Sequence, residues 1–242
     1  MTNDTFADAT KDAVLDAALA HVPFDGWSEI TLRAAIADSG VAEALARALF
    51  PRGPVDLALA YHHRGDMQMM ERLAAADLGA MRYRDRVIFA IRQRLELVGD
   101  KELVRRGSTL FSLPHHAADG ARAVWGTADA IWRALGDTST DLNWYTKRAT
   151  LSGVYAATVL FWLGDDSSSH QSTWGFLERR IDDVMRIEKL KAQVRENPLS
   201  KAFQSASGQL FGWIRPPVVP DDLPGKMGMG GPTSPGRPNP YR

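Results

Sequence analysis

Apolar positions recur every three or four residues along most of the chain as far as residue 214, the spacing of one face of an α-helix. Residues 8–21 set Ala9, Ala13 and Ala17 beside Leu15 and Leu19 at this spacing. After a turn at 23–26, Ser28 is placed to cap a short helix over 29–38 that carries Ile30, Leu32, Ala34, Ala35 and Ile36. Ser39-Gly40 stops it, and a second short helix over 41–50 ends at Pro51-Arg52-Gly53-Pro54. Longer helices are predicted over 54–79, 82–99, 101–112, 117–135, 141–163 and 171–195. No window of four or more residues alternates cleanly enough for a strand. The pattern predicts an all-α protein in four parts: a helix-turn-helix-like unit over 1–53, a helical bundle over 54–195, an amphipathic helix over 196–215 and a tail over 216–242.

Two stretches depart from the usual one-sided pattern. Residues 149–164 run without a charge. That is short of the roughly 20 apolar residues a membrane-crossing helix needs, and Ser152, Gly153 and Thr158 dilute it. A helix apolar all round is expected at the centre of a bundle. Its small residues (Gly153, Ala156, Ala157) and bulky ones (Tyr155, Phe161, Trp162) fit either tight packing or a volume for an apolar ligand. Trp125 and Trp132 share a face of the preceding helix. The candidate lipid-binding set is therefore Trp125, Trp132, Val154, Tyr155, Thr158, Phe161 and Trp162.

The second stretch, 197–217, carries Leu199, Phe203, Ala206, Leu210 and Ile214 on one stripe, with Phe211 and Trp213 alongside and no acidic residue. Sparse positive charge and bulky apolar residues mark a helix that lies in a membrane interface. Packing on the bundle or on a second copy of the chain is the alternative. Gly208 and Gly212 each weaken such a helix in water by about 1 kcal/mol, which fits ordering on a surface. The candidate membrane-binding set is Leu199, Lys201, Phe203, Leu210, Phe211, Trp213 and Ile214. Eight of the thirteen prolines fall in 216–242, so little there can be buried.

At the entrance of the charge-free helix, Asp141, Arg148 and one of the rings Trp144 or Tyr145 share a face. Trp, Tyr and Arg dominate binding hot spots, which suits a docking patch. A cap by Trp144 and a surface salt bridge between Asp141 and Arg148 fit the spacing equally.

Composition then removes several chemistries. The chain has no cysteine, which excludes disulfides, thiolate metal sites and cysteine nucleophiles. No Glu is followed three residues later by His, and HExxH, GxSxG and P-loop motifs are absent. His62 and Asp66 are four apart, a spacing more often met in a solvated contact than in a metal site. No catalytic residue, metal ligand or cofactor is assigned, and the protein is expected not to be an enzyme. The acidic, polar N-terminus is neither a secretory signal nor an Arg-rich transit peptide. The net charge of zero hides nine acids against four bases over residues 1–60, and nine bases against four acids over 186–242.

That asymmetry bears on the first part. The run GWSEITLRAAIADSGVAEALARALFPRGPVDLALAY resembles the N-terminal domain of the TetR family of ligand-responsive repressors. In that family the second short helix enters the major groove, gripped to phosphates by cations and hydroxyls. Here it is VAEALARALF, with Glu43 and Arg47 as its charges, inside an acidic segment. Neutralising phosphates supplies most of the affinity for DNA. A retained shape without nucleic-acid binding is expected; a TetR-type transcriptional regulator with an apolar pocket is the rival.

Over residues 113–185 the chain resembles the ninth coenzyme Q (ubiquinone) biosynthesis protein family. The resemblance is carried by Leu113-Pro114-His115, the Gly136-Asp137-Thr138-Ser139-Thr140-Asp141 run, Asn143-Trp144-Tyr145-Thr146-Lys147-Arg148-Ala149, Thr173-Trp174, Phe176-Leu177-Glu178 and Arg180. It implies a TetR-like fold that no longer regulates transcription and a cavity for isoprenoid quinone intermediates. It also implies docking on a membrane through the last helix and presentation of substrate to a di-iron hydroxylase. By the same resemblance, the hydroxylase-contacting patch falls on Ile131, Asp141, Trp144, Tyr145 and Arg148. A bacterial member, peripheral on the cytoplasmic face of the inner membrane, is expected, and a homodimer through the last two bundle helices is compatible with the fold.

Overall fold

The computed structural model describes residues 3–138 and 142–196. Asp141 and the seven candidate membrane-contacting residues between Leu199 and Ile214 lie outside them, as does the 216–242 tail. The described residues form α-helices and short 3-10 turns, with no strand among them. The helices are α1 (Asn3–Leu19), α2 (Val22–Asp25), α3 (Glu29–Ser39), α4 (Glu43–Leu49), α5 (Pro54–Ala75), α6 (Tyr83–Glu96), α7 (Lys101–Ser112), α8 (Ala117–Ala134), α9 (Leu142–Leu163) and α10 (Gln171–Glu196).

The capping signals act as expected. Ser28 accepts from the Thr31 amide at 3.3 Å, and Gly40 ends α3 in the left-handed region with φ of 66°. Two boundaries differ from expectation. The 23–26 turn is the one-turn helix α2, with Pro23 in its first turn, where a missing N–H is tolerated. The helix expected over 54–79 stops at Ala75 and is followed by a 3-10 turn at Leu78–Ala80.

Two hydrophobic clusters build the molecule. One packs Val14, Leu15 and Ala18 of α1 and Leu32, Ala35 and Ile36 of α3 against Leu57 and Ala58 of α5 and Leu103 of α7. This core crosses residue 53, and the Trp27 indole N–H donates to the Leu103 carbonyl at 3.0 Å across the same junction. The other joins Met69 and Leu73 of α5 and Ile91 and Leu95 of α6 to Ile131 and Trp132 of α8, Leu151 and Trp162 of α9, and Leu177 and Ile181 of α10.

The charge-free helix α9 is not central on every side. Arg148, Leu151, Val154, Tyr155, Thr158 and Trp162 are buried, whereas Ala149, Gly153, Leu160 and Phe161 are exposed, Leu160 by 66%. A residue turns by about 100° along a helix, so one strip meets the core while another meets solvent. No described helix is long and apolar enough to cross a membrane.

In the helix-turn-helix-like head, the α4 cation Arg47 is held by Glu29 at 2.8 Å and Glu43 at 2.9 Å. Arg52 is paired with Asp56 at 2.7 Å and Asp119 at 3.0 Å.

Helices α5 and α6 approach closely at Gly65, where a Cβ would lie 2.6 Å from the Arg94 guanidinium carbon. That guanidinium is fixed by Asp66 and the His62 carbonyl and cannot swing away freely. We expect Gly65→Ala to cost about 1–3 kcal/mol through overpacking. Gly153→Ala, whose Cβ meets open space on α9, should instead gain up to about 1 kcal/mol from helix propensity. Urea denaturation of the two variants checks the opposite signs.

Candidate functional site

Helices α5 to α9, with Trp27 from the loop before α3, enclose a cavity of about 560 Å³. Small-molecule sites commonly span roughly 300–1,000 Å³. The space exists because three helices turn small residues towards one volume: Gly107 and Ser108 of α7, Gly120, Ala121 and Ala123 of α8, and Ala149, Ser152 and Ala156 of α9. Larger neighbours, Leu103, Val104, Phe111, Val124, Val159 and Leu160, give the wall its apolar character. Ser112, Ala117, Ala121, Ala149 and Leu160 line the cavity and are exposed, so it opens to the surface where α7, α8 and α9 meet.

The other side is polar. His62 of α5 meets the Thr127 hydroxyl at 2.8 Å, and that hydroxyl donates to both Asp66 oxygens at 3.0 Å. Tyr155 also hydrogen-bonds with Thr127. A hydroxyl that donates to Asp66 must accept from its other partners, which assigns the His62 proton to Nε2. Arg94 Nε donates to Asp66 at 2.7 Å and Arg94 Nη2 to the His62 carbonyl at 2.9 Å. Burial pushes the His62 pKa below its ordinary value, outweighing the pull of Asp66, so the ring is neutral. Burial also raises the Tyr61 and Tyr155 hydroxyls, which stay protonated. Burial opposes the charge on Arg94, but the paired Asp66 carboxylate supports it and the guanidinium is held above its ordinary pKa. His62 and Asp66 are thus part of a buried network, not the solvated contact their spacing suggests.

Of the candidate lipid-binding residues, Trp125 and Tyr155 line this cavity. Trp132 and Val154 are in the core instead, and Thr158 is buried with its hydroxyl donating to the Val154 carbonyl at 2.7 Å. Phe161 stacks on Phe176 at the surface, with centroids 4.5 Å apart. Trp162 walls a separate cleft of about 210 Å³ with His170 and Trp174. The reason is register: the cavity strip of α9 is Ala149, Ser152, Ala156 and Val159, offset from the bulky residues that drew attention. The residues missed, Tyr61, His62, Arg94 and the α7 face, left one signal in the sequence. Leu103, Val104, Gly107, Ser108 and Phe111 fall on one helical face that mixes apolar bulk with small residues.

The candidate docking patch divides. Ile131 is fully buried and Arg148 is 2% exposed, so neither offers surface to a partner. Arg148 does not sit in a surface salt bridge. It reaches Asp129 at 2.6 Å and Asp137 at 3.1 Å, while Lys147 bonds Asp137 at 2.7 Å. A buried guanidinium needs matched carboxylates, and these came from α8 and the loop after it. Beside this cluster, burial and Asp137 push the Tyr83 hydroxyl up to about 12. Trp144 and Tyr145 remain half-exposed. The Arg148 guanidinium lies 4.0 Å from the Trp144 ring, and Trp125 packs 6.0 Å from Trp144 and 6.4 Å from Tyr145. Trp125 therefore belongs both to the cavity wall and to this aromatic cluster. Among the described residues no group of three or more His, Asp or Glu is placed to hold a metal ion.

The chain is similar to known proteins in sequence and in fold. Residues 117–188 match the sequence model of the COQ9 family. The chain is 32% identical over 206 residues to "Ubiquinone biosynthesis protein COQ9, mitochondrial" of Drosophila melanogaster, covering 82% of this chain and 63% of that one. It is 30% identical to the Homo sapiens protein of the same name, over 75% of this chain and 59% of that one. The chain thus spans about three-fifths of the length of these curated relatives. A TetR transcriptional regulator from Nitrosomonas europaea superposes with a TM-score of 0.59 at 22% identity, covering 71% of this chain and 95% of that one. This likeness shows the fold, which is TetR-like and all-α as expected.

Two outcomes follow from the buried charges. Arg148→Ala removes the cation shared by Asp129 and Asp137, which keep Arg133 and Lys147 as partners, and should cost about 1.5–3 kcal/mol, read by chemical denaturation. His62 is the second case: the unfolded chain takes up its proton near 6.5, while the folded protein resists until lower pH. Stability should therefore fall as pH drops below 6.5 towards the depressed folded value, and His62→Gln should flatten that fall. The depressed carboxylates Asp165 and Asp182 act in a separate window, below about 3.8. Urea titrations of the wild type and His62→Gln at pH 7.5 and 5.5, compared with each other, isolate this histidine.

Proposed function

Because this chain is homologous to the COQ9 proteins over its 117–188 segment, we propose that it serves ubiquinone biosynthesis as a non-catalytic lipid-binding accessory protein. The cavity takes up an isoprenoid quinone intermediate, and the Trp144–Tyr145 face meets the di-iron hydroxylase that consumes it. Residues 199–214 hold the protein on the membrane that carries the lipid, and a second copy can pair through α9 and α10. The observation that supports the reading is the apolar cavity whose wall residue Trp125 packs against Trp144 and Tyr145. A partner on that face would touch the two rings that pack against the one lining the cavity.

The rival reading, a DNA-binding regulator, is weakened by the head. The outward side of α4 is Glu43, Ala44, Leu45 and Ala48, preceded by exposed Ala42, and its Arg47 is already engaged by two glutamates. Such a face has no free cation for phosphate. The pairing of His62, Asp66, Arg94, Thr127 and Tyr155 with one another suits holding a ligand more than turning it over.

Mass spectrometry of lipids that copurify with the protein tests the reading. A prenylated quinone or phenol precursor is expected in the wild type, with several-fold less in Ala156→Trp, which fills the cavity from α9 while leaving the core intact. An empty wild-type protein that also ignores liposomes would overturn it.

A further inference from the structure

We infer that the cleft walled by Trp162, His170 and Trp174 is a binding site for a quaternary ammonium group. It is distinct from the large cavity, although Leu95 and Val98 border both. At about 210 Å³ it falls below the usual range for a whole small molecule. It therefore suits one compact group, with the rest of the ligand outside.

The rings carry the inference. Trp162 and Trp174 stand steeply to His170, at 71° and 79°, with centroids 5.9 and 6.4 Å from it. Rings set this way form walls rather than a stack. Indole faces are negative and attract a cation within about 6 Å of the ring centre. Both indoles already do so: the Arg92 guanidinium lies 4.9 Å from the Trp174 centroid, and the Lys101 ammonium 5.0 Å from that of Trp162. Neither cation lines the cleft, so the ring surface open to it is not the surface they cover. The remaining wall is Leu95, Glu96 and Val98, the end of α6 and the turn after it. A helix is negative at that end, so dipole, carboxylate and rings all favour positive charge.

Hydrogen-bond capacity selects the kind of cation. Both Glu96 oxygens are engaged, by Arg92 at 2.6 Å and Gln93 at 3.0 Å, and the Trp174 indole N–H donates to the Ser169 carbonyl at 2.8 Å. A primary ammonium would exchange its water for walls with little left to accept its three protons. A quaternary ammonium has no N–H to satisfy, and its methyl groups meet rings, Leu95 and Val98. The backbone adds a second observation. Ser169 and His170 hold left-handed φ of 52° and 57°, which residues with side chains avoid. The Trp174 bond fixes that turn, and the turn sets His170 against both indoles. Such conformations cluster where ligands are held.

The test follows the indole N–H signals of Trp162 and Trp174 in the full chain by NMR at pH 7.5. The probes are choline, its neutral carbon analogue dimethylbutanol, and ethanolamine. Choline is expected to shift both signals with a Kd of about 1 mM, about tenfold tighter than either other probe. Glu96→Gln, at an exposed position, leaves Arg92 uncompensated beside Trp174. It should weaken choline about threefold and leave dimethylbutanol unchanged. Glycerophosphocholine separates two sources of the group: tighter binding than choline identifies a lipid headgroup, equal or weaker binding a free quaternary ammonium, and either agrees with the proposal. Equal binding of choline and dimethylbutanol would make the cleft a plain apolar hole and overturn the inference. So would ethanolamine matching choline, an unaffected Glu96→Gln, or indoles that ignore choline at roughly 10 mM.

Discussion

The buried pair between Arg94 and Asp66 governs the shape of the middle of this molecule. A guanidinium and a carboxylate taken out of water are tolerable only when each satisfies the other and the remaining donors find acceptors. Arg94 does this with Asp66 and the His62 carbonyl, and Gly65 supplies the room beside it. Thr127 of α8 and Tyr155 of α9 complete the set, so four helices meet at one polar knot. Such a knot cannot slide to fill neighbouring space as a cluster of leucines would. The void beside it, lined by small residues, therefore persists instead of collapsing.

The outer wall is secured by different means. Helix α7 presents its apolar and small residues to the cavity and is tied down at its first turns. Lys101 donates to the Asp165 carbonyl at 2.7 Å and Arg105 to the Leu163 carbonyl at 2.9 Å, both just where α9 ends. Cations at a helix C-terminus meet the carbonyls that lack partners within the helix. Arg106 reaches back to the Pro23 carbonyl at 3.0 Å and joins the same wall to the head. Among the described residues the last turn of α7 makes no such hydrogen bond to α9, and the cavity opens at that end, beside Ser112 and Ala117.

Much of this was legible in the sequence, because helices are written locally. The Ser28 cap, the Gly40 stop and the Pro54 start each act within a few residues, and the span 101–112 appears as α7 with both ends unchanged. What failed to show were the pairings that cross the chain. Arg94 lies 28 residues from Asp66, and Thr127 lies 61 residues from it, so a helical wheel of α5 alone leaves His62 and Asp66 looking solvated. Arg148 was misplaced for the same reason: a partner on its own helix was visible, whereas Asp129 and Asp137 lie on or just beyond α8. For α9 the periodicity gave helix but not rotation. A run without charge carries no polar face to orient it, so core, cavity and surface strips could not be told apart.

That undivided apolar character has a structural use. A helix with one polar face can serve a core or a surface, but α9 borders three environments at once. Leu151 and Trp162 belong to the core, Ala149, Ser152 and Ala156 to the cavity, and Leu160 and Phe161 to the exterior. Its first turn carries Trp144 and Tyr145 against Trp125, with Arg148 beneath the Trp144 ring. Since Arg148 is locked to two carboxylates, the Trp144 ring rests on a fixed base, while Trp125 faces a space that a ligand would fill. Of the three rings, Trp125 is the one that lines the cavity. The cavity and the aromatic face are thus joined by two physical links, the Trp125 ring and α9 itself, which carries Trp144 and Tyr145 in its first turn and Ala149 and Ser152 on the cavity wall.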